Sequence, residues 1–148
     1  MRRSAGILLF RRTPHLEVLL GHMGGPFWAR KDAGAWSVPK GEHTDDETPE
    51  DAARREFEEE LGLPVPPGEL VPLGEAKGSG KVIAVWALEG DLDPGTVVPG
   101  TFEMEWPPKS GRKKTFPEVD RVAWMTLEEA SAKIVSAQRP FLERLSSR

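Results

Sequence analysis

The chain has 148 residues, 38% hydrophobic and 30% charged, which suits one water-facing domain and excludes both a disordered and a membrane-embedded chain. With 20 Lys and Arg against 24 Asp and Glu, the net charge of −4 excludes indiscriminate attraction to nucleic acid polymers or to an anionic membrane surface. Cys is absent, so disulfides, thiolate nucleophiles and thiolate metal sites are excluded together, and any metal falls to carboxylates, carbonyls or His15, His22 and His43, a donor set that favours a hard cation.

The first apolar run, Ile7 to Phe10, stops at Arg11 and Arg12, too short for a secretory leader or a span, so a cytoplasmic location is expected. Ala5 to Phe10 and Leu16 to Leu20 are β-prone runs separated by Arg11 to His15, which predicts a hairpin. From Gly21 to Ala35 four glycines, Pro26 and mixed charge show no period, and a long surface loop is expected. Trp36 to Pro39 reads as a short extended stretch, because a residue before proline is pushed out of the helical region.

Thr48-Pro49-Glu50-Asp51 is a helix start, with a Thr cap, Pro where a missing N–H costs nothing, and an acid at the third position. The helix is expected from Pro49 to Leu61, ended by Gly62, with Ala53, Phe57 and Leu61 as its apolar stripe. Leu70 to Leu73 and Lys81 to Leu88 predict strands with Gly78-Ser79-Gly80 as the turn between them. Asp91 to Gly100 reads as loop, Phe102 to Trp106 as a half-buried strand, Pro107 to Pro117 as a basic loop and Arg121 to Met125 as a strand. Thr126 to Glu129 opens a second helix expected to reach Gln138, and Phe141 to Leu145 is a short third. Strands interleaved with two or three helices imply an α+β or α/β layered domain over residues 1–148 with a mixed sheet.

The acid-dense segment Arg55 to Glu60 carries the chemistry. At 3.6 residues per turn, Glu56, Glu59 and Glu60 fall on one side of the helix beside the apolar stripe. They lie toward the helix C-terminus, where the macrodipole disfavours negative charge, so a cation must offset them. A divalent cation with oxygen ligands suits the role, and Arg55 offsets part of the charge. The alternative is an ordinary solvated acidic face.

Gly41, Glu47, Arg55, Glu56, Phe57, Glu59, Glu60, Gly62 and Leu63 stand at the spacing of the Nudix box, and the sequence resembles the Nudix hydrolase family in its MutT-like form. Phe57 departs from the Ile, Leu or Val more usual there and still fills an apolar slot. The resemblance implies an α+β Nudix fold, an α/β/α sandwich around a mixed sheet. It also implies hydrolysis of a nucleoside diphosphate linked to another group, with Mg²⁺ or Mn²⁺ as cofactor. It casts Glu56, Glu59 and Glu60 as metal ligands, Glu47 as the partner of Arg55, and the Lys40 carbonyl as a further metal ligand. A loop carboxylate outside the helix is expected at Glu118, in preference to Glu103 and Glu105, which alternate with apolar residues as the wet face of a strand.

For substrate contact the candidates are the Lys40 ammonium, Trp36 and Arg30, with Trp28 and the basic residues Arg112, Lys113 and Lys114 as further possibilities; the tryptophans otherwise read as core. The small-molecule nucleotide expected is a dinucleoside polyphosphate, diadenosine tetra- to hexaphosphate, since Pro39-Lys40-Gly41 is similar to the corresponding segment of dinucleoside polyphosphate hydrolases. Oxidised nucleoside triphosphates such as 8-oxo-dGTP are the alternative, and a non-catalytic nucleotide-binding module is the alternative of another kind. No obligate protein partner is implied.

Overall fold

In the computed structural model, which describes residues 2–12, 14–78 and 80–148, the first strand, β1 (Arg2–Arg11), is covered on both faces. Ala5, Ile7 and Leu9 join one apolar cluster and Leu8 and Phe10 another, the alternation a pleated strand imposes. Around β1 lie β2 (Glu17–Met23), β3 (Trp36–Ser37), β4 (Lys40–Glu42), helix α1 (Pro49–Leu61), β5 (Val71–Gly78) and β6 (Lys81–Glu89). A two-stranded ribbon follows, β7 (Thr101–Glu105) and β8 (Lys113–Pro117), then β9 (Val119–Thr126), α2 (Leu127–Lys133) and α3 (Arg139–Ser146).

The main sheet is mixed: β1 runs parallel to β6 along its length, while β5 with β6 and β2 with β9 are antiparallel. Helix α1 buries Ala53, Phe57 and Leu61 against one face, and α2 and α3 bury Ala130, Phe141, Leu142 and Leu145 against the other. The α/β/α arrangement and the extent of α1 agree with the sequence reading, down to the Thr48 hydroxyl accepting from the Asp51 amide at 3.1 Å and Gly62 at φ 68°.

The β1–β2 hairpin is real only at its base, where Phe10 pairs with Val18 and Arg11 with Glu17. Beyond it the two strands diverge, and the gap is filled by β3 pairing with β2 and by β4 pairing with β1. Between β3 and β4, Pro39 has no amide to donate and its carbonyl accepts from Ile7 at 3.2 Å. The Val38 amide, left without a strand partner, donates to Oε1 of buried Gln138 at 2.9 Å, and Gln138 Nε2 donates to the Ser37 hydroxyl at 3.0 Å. This fork aims Lys40 and Gly41 toward α1.

Three expectations are corrected. The loop expected from Gly21 begins at Gly24, because β2 continues through Met23 with His22 buried in the sheet. Lys113–Pro117, expected as loop, is a strand: cross-strand pairing with β7 overrides its basic composition. The second helix ends at Lys133 and not at Gln138, because Ile134 turns extended to bridge Trp36, and Val135 donates to the Trp36 carbonyl at 2.8 Å. Thr13 and Ser79, expected in turns, lie outside the described residues.

Candidate active site

A cleft of 870 Å³ opens where the fork meets α1, the segment between β8 and β9, and the loop after β2. Burial of Phe57 and Leu61 fixes the rotation of α1 on the sheet, and Glu56, Glu59 and Glu60 consequently line the cleft. Gly41 passes so close that a Cβ there would push the Glu56 carboxylate from its position at the cleft.

Arg55 spreads over three acids. Its Nε donates to both oxygens of Glu47 at 3.1 Å, and Nη1 donates to Glu56 at 2.8 Å and to Glu59 at 3.1 Å. Glu47 is held below the usual carboxylate range by this bond. Glu59 remains largely exposed, whereas Glu56 is mostly buried and burial raises its carboxyl, with Arg55 opposing. Glu60 is only 8% exposed, and burial pushes its carboxyl up to about 8, against the pull of the Lys40 ammonium and backbone amide.

Glu118, between β8 and β9, lines the same cleft, and its charge raises the carboxyls of both Glu56 and Glu60. Its backbone is pinned on both sides: its amide donates to the Gly100 carbonyl at 2.8 Å, and its carbonyl accepts from Gly24 at 2.9 Å. Glu103 and Glu105 are exposed on β7; the Glu105 carboxylate accepts from the amides of Lys109 and Gly111 at 2.6 and 3.2 Å and so closes the ribbon turn.

Among the described residues, no three His, Cys, Asp or Glu side chains are already drawn together tightly enough to hold a metal ion; the Arg55 guanidinium reaches between Glu56 and Glu59 instead. The chemistry of the donor set still fits a hard divalent cation. Five carboxylates, those of Glu42, Glu56, Glu59, Glu60 and Glu118, line one cleft, Glu56 and Glu60 with raised carboxyls, and a cation there relieves their repulsion.

The sequence candidates divide on placement. Lys40 lines the cleft. Trp36 does not: its ring is buried in the core edge-on to His22 at 5.2 Å, and its indole N–H donates to Asp32 at 2.9 Å, leaving no face for a base. Arg30 is exposed on the loop and is not among the residues lining the cleft, nor are Arg112, Lys113 and Lys114; the basic segment does not fold into it. Trp28 and Phe102 do line it.

Phe102 was legible only as strand, since its partner loop is distant in sequence, and Gly25 reveals the fit: a Cβ there would come 3.0 Å from the Phe102 ring. His22, given no role by the sequence, ties the Trp28 loop to β9. Its Nε2 faces the Lys31 carbonyl at 2.6 Å and its Nδ1 faces the Asp120 carboxylate at 2.9 Å.

The family model described as NUDIX domain matches residues 1–145. The chain belongs to the Nudix family. Nudix relatives named RNA pyrophosphohydrolase include one from Alkalilimnicola ehrlichii, 39% identical over 67 residues, which are 44% of this chain and 36% of that protein. Another, from Pseudomonas putida strain F1, is 47% identical over 52 residues, 34% of this chain and 33% of the relative, so the chain spans about a third of the length of the curated relatives it matches. Among solved structures, a C. elegans Ap4A hydrolase binary complex superposes with TM-score 0.64 at 20% identity, covering 99% of this chain and 96% of that one. The NUDIX domain of Shewanella oneidensis NrtR complexed with ADP ribose gives TM-score 0.66 at 17% identity over 99% and 86%. These structural likenesses carry the Nudix fold.

Proposed function

We propose that this Nudix protein is a divalent-cation-dependent pyrophosphohydrolase of nucleotides. The observation that carries the reading is the meeting of Glu56, Glu59, Glu60 and Glu118 with the Lys40 ammonium around one cleft. Relatives named RNA pyrophosphohydrolase support the reaction class.

In this mechanism Glu56, Glu59, Glu60, Glu118 and the Lys40 carbonyl would hold Mg²⁺ or Mn²⁺. When bound, the ion neutralises phosphate oxygens and lowers the pKa of the attacking water. The chain supplies the rest. One of the cleft carboxylates takes the water proton, and burial raises the carboxyls of Glu56 and Glu60 in the direction that task requires. The Lys40 ammonium meets non-bridging phosphate oxygens. Glu47 anchors Arg55, which keeps Glu56 and Glu59 oriented at the cleft wall.

The substrate proposed is a dinucleoside polyphosphate, diadenosine tetra- to hexaphosphate, which offers a long phosphate chain to Lys40 and a nucleoside at each end. A 5′-triphosphorylated RNA is the second reading, favoured by the names of the relatives. The experiment is chromatography of products from diadenosine tetraphosphate, 8-oxo-dGTP and a 5′-triphosphorylated oligoribonucleotide under matched conditions, with Mg²⁺ or with EDTA. The expected outcome is cleavage that needs the metal, with the highest kcat/KM on the dinucleotide. Full turnover in EDTA overturns the metal-dependent reading, and preference for either other substrate overturns the substrate.

A further inference from the structure

Among the described residues, the β7–β8 ribbon presents an aromatic face outside both hydrophobic clusters of the main sheet. Phe102 pairs with Phe116 and Met104 with Lys114 across the strands, and the Trp106 amide donates to the Arg112 carbonyl at 2.9 Å. Alternation therefore puts Phe102, Met104 and Trp106 on one face with Phe116, Lys114 and Arg112. Neither hydrophobic cluster of the main sheet takes in any of the four apolar residues, and all four stay half-buried.

What touches this face is the loop after β2. Gly25 lies on the Phe102 ring, and Phe27 meets Trp106 edge-to-face with ring centroids 5.5 Å apart. Phe27 itself is 57% exposed, an unusual place for a large apolar ring, and its neighbour Trp28 lines the cleft. The aromatic surface thus begins inside the cleft at Phe102 and continues outward to the Phe27–Trp106 step, ~13 Å along the strand at four residues of about 3.3 Å rise. Arg112 and Lys114, both exposed, flank the outer end with positive charge.

We propose that the Phe27–Trp106 step, flanked by Arg112 and Lys114, is the docking platform for the distal nucleoside of a dinucleoside polyphosphate whose phosphate chain lies on the cleft acids. This rests on the hydrolase reading above. Charge complementarity argues for this occupant: the cations lie outside the cleft, where a mononucleotide bound at the acids has no phosphate left to offer, and aromatic rings stack any base through its π-face.

The test is calorimetric binding with Ca²⁺ in place of Mg²⁺ to suppress turnover, using four probes: diadenosine tetraphosphate, ATP, inorganic tripolyphosphate and a 5′-triphosphorylated diribonucleotide. The wild type is expected to bind the dinucleoside compound about tenfold or more tighter than ATP, the range of one base stack. Phe27→Ala removes that advantage, Phe27→Tyr keeps it, and tripolyphosphate binds all three proteins alike. A ratio near one in the wild type, or a ratio that survives Phe27→Ala, overturns the platform while leaving the hydrolase reading intact. Phe27 dependence seen only with the diribonucleotide overturns it in favour of an RNA surface. If no probe binds the wild type, the hydrolase reading falls first.

Discussion

Glu60 carries more of the site's electrostatic cost than any other side chain described. Its carboxyl is held at about 8 by burial, so the folded protein binds this proton more tightly than the unfolded chain does. The sign follows: the contribution to stability is fully present below the ordinary value of 4.5 and is lost as pH rises through about 8. At full extent it is on the order of a few kcal/mol. Thermal melting in EDTA between pH 6 and pH 9 is expected to show the wild type losing stability more steeply than Glu60→Gln; equal slopes would overturn this. The same variant is expected to lower kcat by at least roughly 10²-fold while remaining folded, as loss of a metal ligand or positioned base does. Steady-state kinetics beside circular dichroism checks both halves.

Two elements do most of the positioning. The β8–β9 junction holds Glu118 by its backbone, so this acid lines the cleft although Glu103 and Glu105 on the ribbon do not. Glu118→Ala is expected to lower kcat at least tenfold more than Glu105→Ala, on the order of what a positioned acid contributes, since Glu105 only closes the ribbon turn. A larger loss from Glu105→Ala in the same assay reverses the assignment. At the fork, Gln138 serves the Val38 amide and the Ser37 hydroxyl from a buried position. Gln138→Leu orphans the Val38 amide, while the Ser37 hydroxyl keeps its bond to the Val38 carbonyl at 2.8 Å, and is expected to cost about 1–3 kcal/mol in urea denaturation. The Glu box was legible in the chain because its spacing is local, i to i+4 on one helix. Gln138 was not, because its partners lie about a hundred positions away and nothing around Ala137 marks it; a helix through Gln138 was the simpler local reading, until pairing of Ile134 with Trp36 ended it early.

Across the whole molecule, legibility follows the range of the interaction that decides each feature. Caps, the αL glycine and the apolar stripe placed α1 to the residue, and continuous β-prone apolar runs located β1 and β6. The ribbon was half missed: β7 shows alternation, but the Lys113–Pro117 strand is recognisable only from its partner. Trp36 misled for a similar reason, since an indole ahead of the box suits a base as well as a core, and only its bond to Asp32 and contact with His22 decide. The mixed sheet has one further consequence, for the order in which the chain acquires its shape. β1 gains its full-length partner only at Lys81–Glu89, and Leu19 waits for Trp124. During synthesis from the N-terminus, the helix bearing Glu56 to Glu60 therefore emerges well before Glu118, whose backbone partners Gly24 and Gly100 precede it in the chain. A nascent chain arrested before residue 119 lacks the strand that pairs with β2, and the cleft is complete only when the fold is.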